Sequence, residues 1–296
     1  MKQTIPQSIW FVGAAHLDRN GWAETTAQLQ TSTPGQFEEF AGGASLNVAS
    51  IFAKLDGKAK LATILGEDGS AAMIRQIAQA RGIKLLAQTS LDTPTASYTS
   101  IINPNGDLVV ALADMGIYDD FKAAPLLSKL TTDNWLCVDA NLPASEIKQL
   151  TSTADCFVIA LSVSSAKATR LQASLKNIDL LFTNRAEALA IVGAPAETET
   201  STLVQGLKSL GLKQAVVSDG AEGVWVLGDG EITSLPVPAL KSIIDVTGAG
   251  DALAGVSLYA LAGGKSLVKS VEFGITAAQK IIQIRGPWRD DLAETL

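Results

Sequence analysis

Short runs of aliphatic and β-branched residues alternate with longer amphipathic segments through most of this 296-residue chain. Buried strands are predicted over residues 9–14, 60–65, 135–140, 156–161, 178–184 and 215–220. Helices are predicted over residues 44–56, 69–81, 143–151, 164–176, 185–192 and 200–210. This alternation is typical of a three-layer α/β/α sandwich with a mostly parallel central sheet. Ligands bind such sheets at the carboxyl ends of the strands, so functional residues are expected there.

Two segments break this rhythm with the polar and apolar alternation of half-exposed strands. They cover residues from about 20–40 and 96–113, and Asn105-Gly106 predicts a hairpin turn within the second. We expect them to form a small β lid on a single domain that spans residues 1–296. Because a small sheet has open edges, we expect a second copy of the chain to cover the lid in a homodimer.

The composition limits the partners of the chain. Its formal net charge is −7, which excludes a general surface for nucleic acid or for anionic membranes. The N-terminus does not read as a signal peptide, and no segment approaches the ~20 apolar residues of a membrane helix. Cys137 and Cys156 lie in apolar segments without metal-ligand spacing, which predicts buried strand thiols. We therefore expect a cytoplasmic protein that binds a small molecule.

The sequence GAGD, residues 248–251, places small residues and an acid at the start of a long apolar helix. A helix N-terminus leaves amide groups unpaired, its dipole favours negative charge, and glycine lets an anion approach closely. Gly248, Ala249 and Gly250 are therefore predicted to form an anion hole for a phosphoryl group, with Asp251 as the base for a hydroxyl. The alternative is an ordinary Gly-rich helix entry in which Asp251 is a first-turn acid.

A second group of candidate residues lies near the N-terminus. In the sequence FAGGASLN, Gly42 and Gly43 precede a helix and Asn47 lies one turn into it. Asp18 follows the first predicted strand, and Asp and Asn side chains together can bond the adjacent hydroxyls of a sugar. Each of these residues alone is more often a cap or a turn residue. His16, the only histidine, is a candidate for ligand contact rather than for chemistry.

Together, GGASLN (42–47), NRAE (184–187) and DVTGAGD (245–251) resemble the ribokinase-like (PfkB) family of carbohydrate and nucleoside kinases. The resemblance extends over nearly the whole chain. It implies the ribokinase-like fold, ATP as the phosphoryl donor, Mg²⁺, and a monovalent cation such as K⁺. It also implies that Asp251 deprotonates the acceptor hydroxyl beside the anion hole.

The same resemblance implies roles on the nucleotide side. Asn184 and Glu187 would organise the phosphates and Mg²⁺, with the metal held mostly through water. Ser218, Gly220 and Gly223 match the nucleotide loop of the family. From the residues alone, Asn184 could equally cap a helix with Glu187 as its first-turn acid, and the Ser218 segment could be a turn that ends a strand.

Further matches concern the cation and the acceptor. Asp245 and Thr247 match the loop that holds the monovalent cation in the family. Asp18, Gly43 and Asn47 match the residues that contact the sugar hydroxyls.

Within the family, residues 95–119 resemble pseudouridine kinases, in which a lid hairpin is followed by an Asp-Met pair. The segment SVSSAK (162–167) is similar to a Pro-Val-Ser segment followed by lysine in those kinases. Leu161 and Ser162 replace the Asp and Pro of the family, which leaves the role of Lys167 open.

We therefore expect phosphorylation of the 5′-hydroxyl of pseudouridine or of a related nucleoside. Candidates for contacts beyond the sugar are Ser97, Asp114, Asn141 and Lys167, for each of which an ordinary solvated role is equally open. His16 stands where asparagine is common in pseudouridine kinases. The first alternative is a ribokinase- or fructokinase-type sugar kinase, and the second is a sensor that binds a sugar or nucleoside without catalysis.

Overall fold

The computed structural model describes residues 5–240 and 242–283. Its strands are β1 (Ser8–Val12), β2 (His16–Ala23), β3 (Gly35–Gly42), β4 (Ala59–Leu65), β5 (Lys84–Thr89), β6 (Ser97–Ile102), β7 (Leu108–Asp114), β8 (Asn134–Asp139), β9 (Phe157–Leu161), β10 (Leu180–Asn184), β11 (Gln214–Ser218), β12 (Val224–Gly228) and β13 (Glu231–Leu235). Its α-helices are α1 (Ala44–Lys54), α2 (Gly69–Ala80), α3 (Ala124–Leu127), α4 (Ala144–Thr153), α5 (Ser165–Ala168), α6 (Arg185–Val192), α7 (Thr200–Ser209), α8 (Ala249–Ala262) and α9 (Leu267–Ile281). Short 3₁₀ helices cover Gly116–Asp120, Thr169–Asn177 and Gly220–Glu222.

The main sheet has nine strands in the order β13-β12-β11-β10-β9-β8-β1-β4-β5. Neighbouring strands from β11 through β5 are parallel, and β12 and β13 add an antiparallel hairpin at one edge. The predicted α/β fold with a mostly parallel central sheet is confirmed. The carboxyl ends of β9, β10 and β11 lie side by side, which brings together residues that are distant in sequence.

Alternate residues of β1 point into opposite layers of the structure. Ile9 and Phe11 belong to the apolar cluster that includes side chains of α1, α2, α8 and α9. Trp10 and Val12 belong to the cluster that includes side chains of α4, α6 and α7. A parallel strand covered on both faces must be apolar on both, which explains the continuous apolar runs in the sequence.

A second sheet has four strands in the order β3-β2-β6-β7. The pairs β2–β3 and β6–β7 are antiparallel, and β2–β6 is parallel. In the turn between β6 and β7, Gly106 N donates to Asn103 O at 2.9 Å, and Asn105 Nδ2 donates to Asp107 Oδ2 at 2.7 Å. The segments predicted as a lid contribute strands to this sheet, although β2 already begins at His16.

The segment 164–176 differs from the single helix that its sequence predicts. It forms α5 followed by a 3₁₀ helix in which Leu171 and Ser174 are buried. Their spacing of three residues suits the three-residue turn of a 3₁₀ helix. The prediction of two buried strand thiols was also wrong in part, since Cys137 is buried in β8 but Cys156 precedes β9 and is half-buried.

The strand β5 escaped sequence prediction because it is an edge strand with partly exposed side chains. Within the described residues, every helix is too short or too polar to cross a bilayer.

Candidate active site

The helix α8 begins at a glycine with an unusual backbone conformation. Gly248 is the N-cap with φ 78°, a left-handed value that favours glycine. The first helical hydrogen bond runs from Ala252 N to Gly248 O at 2.8 Å, so helix geometry leaves the amides of Gly250 and Asp251 without an intrahelical acceptor. A Cβ atom on Gly250 would meet nothing within 4 Å, and Gly250 and Asp251 both line the cavity described below. The Ala249 amide instead donates to Val246 O at 3.2 Å.

Asp251 lies in the first turn of α8 and is half-buried. Burial raises the pKa of its carboxyl group from 3.8 to about 6, and the nearby carboxylates of Asp139 and Asp18 act in the same direction. A hydrogen bond from Asn47 Nδ2 to Asp251 Oδ2, 2.8 Å long, opposes this rise in pKa, as does His16. The carboxylate is therefore ready to accept a proton close to neutral pH.

A cavity of about 300 Å³ opens in front of the start of α8. It is formed at the carboxyl ends of β9, β10 and β11 together with the first turns of α6 and α8. Its lining includes the predicted residues Asn184, Glu187, Ser218, Gly248, Gly250 and Asp251. The parallel sheet thus brings the NRAE and GAGD segments to one cavity.

Glu187 is buried against this cavity and takes part in a capping box with Asn184. Asn184 Oδ1 accepts a hydrogen bond from Glu187 N at 2.9 Å, and Glu187 Oε2 accepts one from Asn184 N at 3.1 Å. Ser162 Oγ also donates to Oε2, and Asn184 Nδ2 donates to Oε1 at 2.8 Å. The capping role is therefore confirmed, and because Asn184 and Glu187 also line the cavity, it leaves room for the role with phosphates and Mg²⁺ that the resemblance implies.

The side chains that line the cavity fit a magnesium ion that phosphate groups and water would hold, with Glu187 contacting one of those waters. In the part of the chain that the structure describes, no three His, Cys, Asp or Glu side chains converge as metal ligands. Glu187 Oε1 accepts a hydrogen bond from Asn184 Nδ2, and its second lone pair is an acceptor site for a water ligand of the ion.

Asp18 and His16 lie on β2, beside the predicted glycine pair. His16 Nε2 is 3.2 Å from Asp18 Oδ1. A Cβ atom on Gly42 would lie 1.9 Å from Asp18 Oδ2, and one on Gly43 would lie 2.5 Å from Ala14 O. Gly43, with φ 106°, is therefore required by the close backbone of Ala14, whereas Gly42 makes room for the carboxylate of Asp18.

Lys167 and Asn141 lie together, as two of the predicted acceptor contacts. Lys167 Nζ donates to Asn141 Oδ1 at 2.6 Å, and Arg170 donates from NH1 to Asn141 O at 2.7 Å. Burial lowers the pKa of the Lys167 amine, Asp139 opposes this shift, and Arg170 lowers the pKa further. Asn141 Oδ1 accepts from Lys167, and the Nδ2 hydrogens of the same amide are donors for a further partner.

The remaining predicted residues are distributed around these groups. Ser97 pairs with Asp114 across β6 and β7, and the Asp114 side chain is exposed. Ser218 lines the cavity, and Gly220 and Gly223, with φ 55° and 114°, shape the turn that follows it.

Asp245 and Thr247 lie in the loop before α8. Asp245 Oδ1 accepts a hydrogen bond from Thr247 N at 2.8 Å. The two residues therefore form an Asx turn that shapes the approach to the helix.

One residue of the site was missed by the sequence analysis. Asp139, the last residue of β8, is fully buried. Its carboxylate accepts hydrogen bonds from Ala14, which follows β1, from Ser45 in the first turn of α1, and from Asn141, which follows β8. The available signal was an acid that directly follows the apolar run WLCV. In an α/β protein such an acid lies at the ligand-binding edge of the sheet.

Comparison with known proteins places this geometry in context. Residues 6–291 match the family model described as pfkB family carbohydrate kinase. The pseudouridine kinase of Escherichia coli K12 is 26% identical over 271 residues, which cover 88% of this chain and 86% of that protein. A ribokinase of Arabidopsis thaliana is 26% identical over 262 residues, which cover 84% of this chain and 69% of the relative.

Among solved structures, a carbohydrate kinase from Agrobacterium tumefaciens superimposes with a TM-score of 0.85 at 33% sequence identity. The match covers 97% of this chain and 95% of that one, so both sheets are included in the similarity.

Proposed function

The chain belongs to the pfkB family of carbohydrate kinases, and we propose that its acceptor is the 5′-hydroxyl of pseudouridine or a closely related nucleoside. The kinase class rests on the family match, and ATP as donor follows from it. One observation supports the assignment of the chemistry to named residues: a half-buried carboxylate with a pKa of about 6 lies beside open helix amides at the mouth of a cavity. The 26% identity with a pseudouridine kinase over 88% of the chain supports the nucleoside.

In the proposed reaction, the oxygen of the acceptor hydroxyl attacks the γ-phosphorus of ATP while Asp251 accepts the hydroxyl proton. The bond between the γ-phosphorus and the β,γ-bridging oxygen breaks, and ADP leaves. A positioned base contributes typically ~10²–10⁴ in rate. The amides of Gly250 and Asp251 donate to the equatorial oxygens of the transferred group, where negative charge is concentrated. Little covalent work remains for the protein, so positioning and charge stabilisation account for most of the acceleration.

The acceptor lies against β2 and the start of α1 in this proposal. Asp18 and the Gly42-Gly43 backbone face the ribose hydroxyls, and His16 fixes one oxygen of Asp18. Lys167 and the Asn141 amide supply donors, which suit the carbonyl oxygens of a nucleobase. Ser97 and Asp114, at the ends of β6 and β7, complete the proposed acceptor side.

The nucleotide side of the proposal uses the other half of the site. Ser218 and the turn of Gly220 and Gly223 flank ATP at the end of β11, with Asn184 nearer to the phosphates. Glu187 orders water on a Mg²⁺ ion, which neutralises phosphate charge when it is bound. Asp245 and Thr247 belong to the loop that we assign to a monovalent cation. A turnover rate that is independent of added K⁺ would contradict that last assignment.

We propose that the chain is one kinase domain and that it acts in the cytoplasm. The four-stranded sheet is the proposed lid of this domain. Residues 24–34 join β2 to β3 without regular structure, so they offer the most accessible cleavage site of this sheet. Acceptor binding should protect them from limited proteolysis, because closure orders the sheet against the acceptor. Equal cleavage rates with and without the acceptor would contradict closure.

The outer face of this sheet is the proposed contact with a second copy of the chain. Phe37, Gly21, Ile101 and Val110 form one row across the four strands. The exposed fractions of Phe37, Leu108, Val110 and Leu112 are 58%, 59%, 56% and 72%, an apolar surface that a monomer rarely leaves uncovered.

A charged substitution within this face tests the dimer. Leu112→Lys should convert a dimer to a monomer in light scattering, because it places a charge in an apolar interface. Leu210→Lys, at an exposed leucine on another part of the surface, is the matched control. A wild-type chain of monomer mass would remove the proposal.

The acceptor is tested by measuring ATP consumption with pseudouridine, uridine, adenosine, ribose and fructose. The mass of each product is measured by mass spectrometry. The proposal requires the highest kcat/KM for pseudouridine or another nucleoside, and a rate that falls by ~10² or more with Asp251→Asn. A higher kcat/KM for ribose or fructose would favour the sugar kinases instead. Thermal stabilisation by an acceptor without any turnover would favour a sensor.

A further inference from the structure

Asp139 is a fully buried carboxylate whose two oxygens accept hydrogen bonds from three parts of the chain. Oδ2 accepts from Ala14 N at 2.7 Å, from Ser45 Oγ at 2.8 Å and from Ser45 N at 3.2 Å. Oδ1 accepts from Asn141 N at 2.8 Å. A Cβ atom on Gly13 would lie 2.2 Å from the carboxyl carbon, so the backbone directly after β1 passes close to this group. Burying a charge costs folding free energy unless hydrogen bonds satisfy the charged group.

These bonds fix the first turn of α1. Ser45 belongs to that turn, and Leu46 N donates to Ala14 O at 3.1 Å, so β1 and α1 are joined twice beside Asp139. Two residues after Ser45, Asn47 donates to Asp251 Oδ2 at 2.8 Å. The carboxylate of Asp139 is thus connected to the proposed base through one turn of helix.

We infer that Asp139 is a positioning residue for phosphoryl transfer. Its hydrogen bonds fix the start of α1, so that Asn47 can hold Asp251, and its negative charge lies near the proposed base. The inference rests on the proposed function, in which Asp251 is the base. Asp139 itself touches neither reactant.

The charge of Asp139 acts on Asp251 together with a small number of other groups. Asp18 and His16 face Asp251 from β2, Asn47 contacts it from α1, and Glu187 lines the same cavity from α6. Among these, Asp139 and Asp18 raise the pKa of Asp251, whereas His16 and the Asn47 bond lower it. Removal of the Asp139 charge alone should therefore lower the pKa of Asp251.

Two substitutions separate the charge from the hydrogen bonds. Asp139→Asn can keep its oxygen towards Ala14 and Ser45, so it removes the charge and only the bond from Asn141. Asp139→Ala removes the charge and all the bonds. Asp179→Asn is the matched control, because Asp179 also accepts a backbone bond, from Val158 N at 3.0 Å, but lies beside the amino end of β10.

The titration of Asp251 is measured by ¹³C NMR of the side-chain carboxyl groups in the ligand-free protein, with the signal assigned from its loss in Asp251→Asn. We expect the titration midpoint of Asp251 to fall below about 6 in Asp139→Asn. In Asp179→Asn the midpoint should remain at about 6, as in the wild type. This measurement needs no turnover, so it tests Asp139 even if the proposed acceptor fails in the activity panel.

The kinetic measurements complete the test. In Asp139→Asn the acid limb of kcat/KM should move to lower pH, with the rate at pH 8 preserved within a few-fold. In Asp139→Ala we expect kcat to fall roughly 10–100-fold while the KM for ATP stays within threefold, since a misplaced base slows the transfer step. An unmoved Asp251 midpoint in Asp139→Asn would overturn the inference. So would a loss of thermal stability in both variants with unchanged kcat and acid limb.

Discussion

Replacement of Asp251 by asparagine should lower activity and raise stability in the same protein. The substitution keeps the size of the side chain and an oxygen that accepts from Asn47 Nδ2. It removes the proposed base, so kcat should fall by ~10²–10⁴, which corresponds to about 3–5 kcal/mol of activation free energy. The wild-type kcat/KM should fall about tenfold per pH unit below pH 6, where the carboxyl group becomes protonated.

The gain in stability follows from the same pKa shift. A folded-state pKa of about 6 against an ordinary 3.8 means that the ionised carboxylate destabilises the native state. The full shift corresponds to roughly 3 kcal/mol, which partial exposure to the cavity reduces to about 1–2 kcal/mol. Asp251→Asn should therefore raise the Tm at pH 7.5 by roughly 2–6 °C.

The sign of this effect depends on pH in a defined way. Because the folded pKa lies above the unfolded value, the penalty is complete above about pH 6 and disappears as the pH falls below 3.8. The difference in Tm between variant and wild type should therefore shrink as the pH is lowered from 7.5 towards 4.

The assays are steady-state kinetics and calorimetry across this pH range. Asp229→Asn, in the exposed turn between β12 and β13, is the control and should change neither quantity. Turnover within threefold of wild type, or an acid limb near pH 6 that persists without the Asp251 carboxyl group, would refute the reasoning.

Three further substitutions test other contacts of the site. Asn47→Ala removes a bond that lowers the pKa of Asp251, so the acid limb should move above pH 6 and the acceptor KM should rise, and an unchanged pH profile would contradict this. Gly13→Ala should lower the free energy of unfolding by about 1–3 kcal/mol in urea denaturation, because its Cβ would lie 2.2 Å from the carboxyl carbon of Asp139. Gly116→Ala is the control and should leave the stability unchanged, because its Cβ would meet nothing within 4 Å. Glu187→Gln places an NH₂ group among donors that need a carboxylate, so the Mg²⁺ concentration for half-maximal rate should rise, and an identical Mg²⁺ dependence would count against the assignment.

Local signals in the sequence predicted much of the fold. The bounds of α6 were predicted without error, since Asn184 and Glu187 form a capping box that depends only on residues three apart. The apolar runs of the parallel strands were found within a few residues because both faces of these strands are buried. The segment 164–176 was less predictable, because helix and 3₁₀ patterns of buried residues differ little over so short a span.

Pairs of residues that are far apart in sequence limited the prediction of the site. GAGD indicated the helix start and the acid, but the contact of Asn47 with Asp251 joins residues 204 positions apart and has no local signature. Asp139 was missed for a similar reason, since its partners Ala14 and Ser45 lie 125 and 94 positions away. Their importance depends on the strand order β8-β1-β4, which a single sequence does not contain.

The surroundings of α8 determine which parts of the molecule can move during turnover. Its residues from Ala252 to Leu258 are buried without interruption, and a Cβ atom on Gly255 would already lie 2.7 Å from Ile51 of α1. A helix enclosed on every side cannot shift alone, since a densely packed interior offers no vacant volume to enter. Asp251 therefore stays in place, and in the proposed closure it is the four-stranded sheet that moves towards it. In hydrogen exchange, the amides of α8 should be among the slowest of the chain, and those of residues 24–34 among the fastest.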